Sequence, residues 1–256
     1  MSAVAPGLVS LVGAGPGHPD YLTLKGRRCL RAADIVFHDA LVSRAVLEFA
    51  AHAEWVDVGK RAGRDSTPQE VIEAAMVAAS RRGLRVVRLK GGDAFVFGRG
   101  GEEALALERQ AIPYEIVPGV SAAIAAPALG GIPVTHRGVS SAVLVVSGTD
   151  PADFRGITAT VTPGSCTVVV LMGLRVRDVI ADILLDSGWP ASTPAAMVLG
   201  ASTGDEFTWR GTLAGLADAE PPVSADALPG TLVIGAVAGL PLRLCNGVQS
   251  QTEVLS

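Results

Sequence analysis

The run from Arg88 to Glu103 gathers most of the residues whose types and spacing could do chemistry. A β-branched, apolar strand ends there in a loop with five glycines among eleven residues (Gly91, Gly92, Gly98, Gly100, Gly101), interleaved with Lys90, Asp93 and Arg99. Glycine removes the Cβ atoms that keep a ligand away from the backbone, and this many glycines give up more chain entropy than a plain turn requires. The run therefore reads as a binding loop. Gly98, Gly100 and Gly101 are expected to supply positive φ before Glu102 and Glu103 open a helix, where its dipole favours acidic side chains.

A second glycine loop follows the first apolar run, at Gly13, Gly15 and Gly17, with Pro16, His18 and Pro19 among them. Its position suggests a dinucleotide site, and Asp39, at the end of the second expected strand, stands where a ribose-binding carboxylate would. The fingerprint's third glycine falls on His18, however, and proline cannot donate the N–H bonds that a pyrophosphate needs. A rigid loop packed against a smaller ligand is the better reading, with a nicotinamide-dependent oxidoreductase as the alternative of a different class.

The elements that must position these loops show in the periodicity. Strand-like runs at Leu8–Val12, Ile35–His38, Trp55–Val58, Arg85–Leu89 and Tyr114–Val117 alternate with amphipathic segments such as 68–80, a rhythm of α/β structure with a largely parallel sheet. Thr67 is expected to cap that helix, with Pro68 at its first position. After residues 130–133 the pattern changes to strands at Ala142–Ser147, Thr167–Met172, Ala195–Leu199, Glu206–Arg210 and Thr231–Gly235 with fewer helices between them. We expect an N-terminal α/β domain over residues 1–135, a C-terminal α/β domain with a mixed sheet over 136–245, and a loose polar tail over 246–256.

Bulk properties narrow the function. The chain has 256 residues, 49% hydrophobic and 18% charged, ample for a buried core. Its apolar stretches are strand-sized, far below the ~20 residues of a membrane span, and no basic-then-apolar leader opens it. Cys29, Cys166 and Cys245 lack metal-ligand spacing, so no metal site and a reducing cytoplasmic setting are expected; each reads as a small buried hydrophobe. A net charge of −4 argues against a nucleic-acid partner. The charge is uneven, though: residues 1–137 carry 16 basic against 14 acidic side chains, and residues 138–256 carry 5 against 11. An anionic partner is expected to approach the first half, where Lys60, Arg61, Arg64, Arg88, Lys90 and Arg99 lie near strand ends.

Read together, seven segments in order resemble the tetrapyrrole methylase family. They are residues 12–17 with 22–26, 34–36 with 39–43, 58–61, 88–103, 117–122, 131–137 and 171–174, spanning roughly residues 7–240. The run 88–103 and the triplet Thr135-His136-Arg137 are similar to the subgroup acting on uroporphyrinogen III. The resemblance implies two α/β domains with the active site in the cleft between them, and a homodimer. It also implies transfer of two methyl groups from S-adenosylmethionine to uroporphyrinogen III, giving precorrin-2 for sirohaem or cobalamin synthesis. A sister enzyme acting on a later corrin precursor is the nearest alternative.

Methyl transfer from a sulfonium is a direct displacement, so the protein must align donor and acceptor, exclude water and accept a proton. By resemblance the donor positions fall on Pro16, Gly91, Gly92, Asp93, Val96, Ser121, Ala122 and Met172, with Ala201 lining the same site through its backbone. The implied proton acceptor is Asp39 and the implied donor Lys60. Arg88, Lys90, Arg99, His136 and Arg137 are expected to meet substrate carboxylates, or, for Arg137, to hold the hinge between domains.

The chain departs from the family in four places. Ala40 replaces an arginine common in relatives, which removes one carboxylate contact, and Ala94 replaces the loop's usual proline. Ser147-Gly148-Thr149 stands where relatives carry Thr-Gly-His, and residues 201–206 replace a segment that usually holds glycine first and glutamine last. No dehydrogenase-ferrochelatase or uroporphyrinogen-synthase region accompanies the match, so methyl transfer alone is expected.

Overall fold

The computed structural model describes residues 5–59, 67–220 and 228–242. All ten expected strands form, each within two residues of its expected ends. β1 (Val9–Gly13), β2 (Ile35–His38), β3 (Glu54–Asp57), β4 (Val86–Lys90) and β5 (Tyr114–Val117) make a wholly parallel sheet in the order β3-β2-β4-β1-β5. Parallel pairing needs crossovers, and α1 (Leu24–Ala32), α2 (Arg44–Leu47), α3 (Gln69–Arg81) and α4 (Gly100–Arg109) lie in the connections.

Helices cover both faces of this sheet, so β1 and β4 are buried throughout. Val9 and Leu11 pack with Ile72 and Met76 of α3 and Leu107 of α4. Val12, pointing the other way, packs with Leu30 of α1 and Val46 of α2. The alternation of side chains along β1 thus sorts one strand's residues between two cores.

The second sheet is mixed, as expected. β6 (Val143–Ser147) and β7 (Thr167–Leu171) are parallel, while β10 (Gly230–Ile234), β8 (Pro194–Leu199) and β9 (Phe207–Thr212) join antiparallel in the order β6-β7-β10-β8-β9. Val168 and Val170 face a core with Phe154 of α6 (Pro151–Thr158), Ile180 and Leu184 of α7 (Arg177–Asp186) and Leu213 of α8 (Leu213–Leu216). Val169 faces the other way. It shares a cluster with Ala123 and Ala126 of α5 (Ala122–Leu129), a helix that precedes residue 135 in sequence yet packs on the second sheet.

Three local expectations need correction. Pro68, not Thr67, is the N-cap of α3: its ψ of 143° keeps it outside the helix, and no side chain caps that end. Positive φ in the Arg88–Glu103 loop falls on Gly92 (64°), Phe97 (52°) and Arg99 (59°) rather than on Gly98, Gly100 or Gly101. Gly98 and Gly100 serve close approach instead, since a Cβ would lie 2.7 and 2.5 Å from the Ala94 carbonyl oxygen. Finally, Cys29 and Cys166 are free and only half-buried. Burial still pushes the Cys29 thiol up, which keeps it protonated and unreactive. Cys245 and the tail 246–256 lie outside the described residues.

Candidate functional site

The loops that leave β1, β2, β4 and β5 emerge at the same edge of the parallel sheet, because parallel strands all end on one side. Three of them interlock through backbone. Gly15 and Gly92 exchange N–H···O bonds of 3.1 and 2.8 Å, and Ala14 donates to the Lys90 carbonyl at 2.7 Å. Gly13 and Gly119 pack against the Gly92 carbonyl with no room for side chains of their own: a Cβ on Gly119 would stand 2.2 Å from the Gly92 carbonyl oxygen. Asp93 ties the edge together. Its Oδ1 accepts from the Phe95 N–H and its Oδ2 from the Gly119 N–H, both at 2.8 Å.

A cavity opens over this edge, walled by the first sheet's loops on one side and on the other by Leu171, Met172, Val198, Ala201 and the Pro229–Thr231 segment of the second sheet. All nine expected donor positions line it: Pro16, Gly91, Gly92, Asp93, Val96, Ser121, Ala122, Met172 and Ala201. Several carry a structural duty as well. Ser121 caps α5 by accepting from the Ala123 N–H at 3.3 Å, and Met172, at φ 58°, turns its half-exposed side chain into the cavity. Sequence reading missed Leu41, Phe97, Ala126 and Pro229–Thr231, which join the lining only once the chain folds. Leu41 and Phe97 carried one usable sign: they are large apolar side chains beside polar loop residues, and both remain exposed.

The lining suits a molecule with an adenosine part and a cationic centre. A Cβ on Gly91 or Gly92 would meet no other atom closer than 3.5 Å, so the room beside both glycines is open. Val96, Ala122, Ala126, Met172 and Val198 supply apolar wall, while Asp39 and Asp93 bring negative charge to the same space. A dinucleotide fits less well. The Gly13–Gly17 loop runs into a short 3-10 turn, Pro19–Tyr21, and the first helix starts only at Leu24, so no helix N-terminus points at the loop.

Asp39, at the end of β2, is the one polar lining residue tied to a buried ionic cluster. Its carboxylate pairs with Arg88 Nη2 through a short contact and lies 3.8 Å from Lys90 Nζ. Arg88 Nε and Lys90 Nζ both reach Glu103 Oε1, at 2.9 and 3.0 Å, and Gln69 Nε2 donates to the same oxygen at 3.1 Å. Arg88, Lys90 and Glu103 are 2%, 3% and 0% exposed.

That burial changes the expected roles of the cations. Arg88 and Lys90 do not face the cavity; their charge is committed to Asp39 and Glu103. Arg99 pairs with Glu102 at 2.7 Å on the surface and is not in the lining, nor are His136 and Arg137, which stand exposed on the segment after Pro133. Just after α5, the Arg210 guanidinium donates to the carbonyls of Gly130, Gly131, Ala238 and Leu240. Lys60, with Arg61 and Arg64, lies outside the described residues.

Ala201 lines the cavity, and Thr149 reaches one of its lining residues. Thr149 Oγ1 points to the Met172 sulfur at 3.6 Å and accepts from Ser147 Oγ at 2.9 Å. Ser202, at φ 69°, accepts from the His18 N–H at 2.9 Å and so clasps the first glycine loop to the second half of the chain.

Comparison with known proteins gives this geometry a context. Residues 8–217 match the family model for tetrapyrrole (corrin/porphyrin) methylases. A siroheme synthase of Neisseria meningitidis is 46% identical over 240 residues, 93% of this chain but 49% of that protein, so the chain spans about half the length of that relative. A uroporphyrinogen-III C-methyltransferase of Methanocaldococcus jannaschii is 40% identical over 237 residues, 91% of this chain and 98% of the relative. A solved uroporphyrin-III C-methyl transferase of Thermus thermophilus, complexed with S-adenyl homocysteine, matches with a TM-score of 0.77 at 39% identity, over 91% of this chain and 99% of its own.

Proposed function

The chain belongs to the tetrapyrrole methylase family, and on that premise we propose that it transfers two methyl groups from S-adenosylmethionine to uroporphyrinogen III, giving precorrin-2. One observation carries the reading. Nine donor positions drawn from five separate stretches of sequence line a single cavity.

When bound, S-adenosylmethionine supplies a methyl group made electrophilic by its sulfonium. The chain's own part is to position and to protect. Gly91 and Gly92 leave room for close approach, Met172, Val198 and Ala201 form an apolar wall that excludes water, and Asp93 holds the β4 and β5 loops at a fixed distance. Asp39 accepts the proton that the ring system loses once a pyrrole carbon has been alkylated. With Arg88 and Lys90 turned inward, the substrate's carboxylates depend on cations elsewhere. Lys60 is assigned the role of proton donor on the family resemblance alone. The same reading carries a homodimer in a reducing compartment, which sedimentation of the purified protein tests.

Incubation with uroporphyrinogen III and S-adenosylmethionine should give a product heavier by two methyl groups, read by mass spectrometry. An unmodified acceptor would overturn the assignment, and turnover only with a later corrin precursor would move it to the sister activity. Calorimetric titration should show heat with S-adenosylmethionine and none with NADH.

A further inference from the structure

Glu103 is the most buried charged side chain among the described residues, and the mechanism above does not use it. Its Oε1 collects three donors while its Oε2 has no hydrogen-bond partner among the described residues. Burying a carboxylate with one oxygen left without a donor is costly.

From this we infer that Glu103 is a positioning residue for Asp39: it sets the charge that Asp39 feels and thereby its strength as a base. The inference rests on the methyltransferase reading for its catalytic meaning, but its electrostatic core stands on geometry alone. Arg88 bridges the two carboxylates, with Nε on Glu103 and Nη2 on Asp39, and Lys90 reaches both. Among the described residues, Asp39 therefore faces two cations, with one counter-anion behind them. Without Glu103 it would face both cations uncompensated, hold its proton less tightly and accept one from substrate less readily.

Gln69 and Glu73 approach Glu103 from α3, and Arg99 and Glu102 from the start of α4. Near Asp39, His38 turns its Nδ1 to the Asp39 carbonyl, Asp57 is engaged with the Gly59 N–H, and Asp93 braces the loops across the cavity. Among the described residues, Arg88 and Lys90 are the cations in ionic contact with Asp39, and both also contact Glu103.

The test is a set of charge changes read by the carboxyl carbon of Asp39 in 13C-aspartate-labelled, ligand-free protein, assigned with Asp39→Asn. Glu103→Gln keeps the shape and removes the charge; the Asp39 signal should then move to lower pH. The acid limb of kcat should move the same way, and kcat at neutral pH should fall at least about threefold with donor affinity unchanged. Lys90→Met should move the Asp39 titration upward, and the double variant should bring it back toward wild type. A merely structural Glu103 predicts the opposite for the pair, with further damage and no return. An Asp39 titration unmoved in Glu103→Gln, or in Lys90→Met should the first variant not fold, overturns the inference. A wild-type protein that methylates nothing refutes the functional reading separately, since the carboxyl titration needs no turnover.

Discussion

Asp39 is the residue on which the proposed chemistry turns, because among the described residues it alone joins the cavity to the buried cluster. Its side chain is 31% exposed against 2% for that of Arg88, so it is the cluster's face toward a ligand. Asp39→Ala should abolish turnover, by about a hundredfold or more for the loss of a general base, while S-adenosylmethionine binding measured by calorimetry stays within about twofold. A variant that turns over at the wild-type rate removes Asp39 from the reaction. Thr149 illustrates the same scale differently. A side chain that departs from the family pattern touches the Met172 sulfur, so the difference acts on the cavity wall rather than on distant surface.

At the level of elements, the site is an interlock of three strand-ending loops. Their contacts are between backbones, and the permissive residue is the one with no side chain. Gly119→Ala would force a Cβ to 2.2 Å from the Gly92 carbonyl oxygen. We expect it to destabilise the protein by at least about 1–3 kcal/mol and to weaken donor binding, read by thermal unfolding and titration. A variant with unchanged Tm would show that the loops have slack. The far end of the same sheet carries a different tie. Asp34 accepts from the Arg85 backbone N–H at 2.8 Å and from its guanidinium at 2.9 Å, joining the starts of β2 and β4. Those bonds pull the Asp34 carboxyl down to about 2. A depressed carboxylate stabilises the fold above its unfolded value of about 3.9, and that contribution is lost as the pH falls through about 2. Asp34→Asn should therefore flatten the loss of stability between roughly pH 4 and 2. The effect is modest, under about 1 kcal/mol for a pair this exposed, and urea midpoints taken across that window measure it.

For the molecule as a whole, the question is what joins the two sheets around the cavity. α5 leaves the first sheet's loop at Ser121 and buries Ala123 and Ala126 against the second sheet. At its C-terminal end, Arg210 gathers the carbonyls of Gly130 and Gly131 together with those of Ala238 and Leu240. One guanidinium thus satisfies acceptors that the helix end and a neighbouring turn leave open. Arg210→Ala should lower unfolding free energy by about 1–2 kcal/mol, and because the joint carries the cavity's two walls, donor affinity should fall with it. Unchanged affinity in a destabilised variant would restrict Arg210 to local stability.

The sequence by itself determined the strands, the glycine loops and nine of the residues that meet at the cavity. Apolar alternation marks a strand wherever it stands, and glycine spacing reports where backbone must be approached closely, so both signals are local and legible. The family resemblance draws five distant stretches of sequence toward one site, and the cavity gathers those same nine residues. What only the tertiary structure decided is where charge goes. Arg88 and Lys90 look like surface cations in sequence, because nothing local tells them from Arg99; the fold buries two of the three against Glu103, thirteen and fifteen residues away, and leaves the third on the surface. Whether a charge meets solvent, a ligand or a buried partner depends on which elements pack across it. That is a property of the assembled sheet and helices, and no stretch of chain carries it alone.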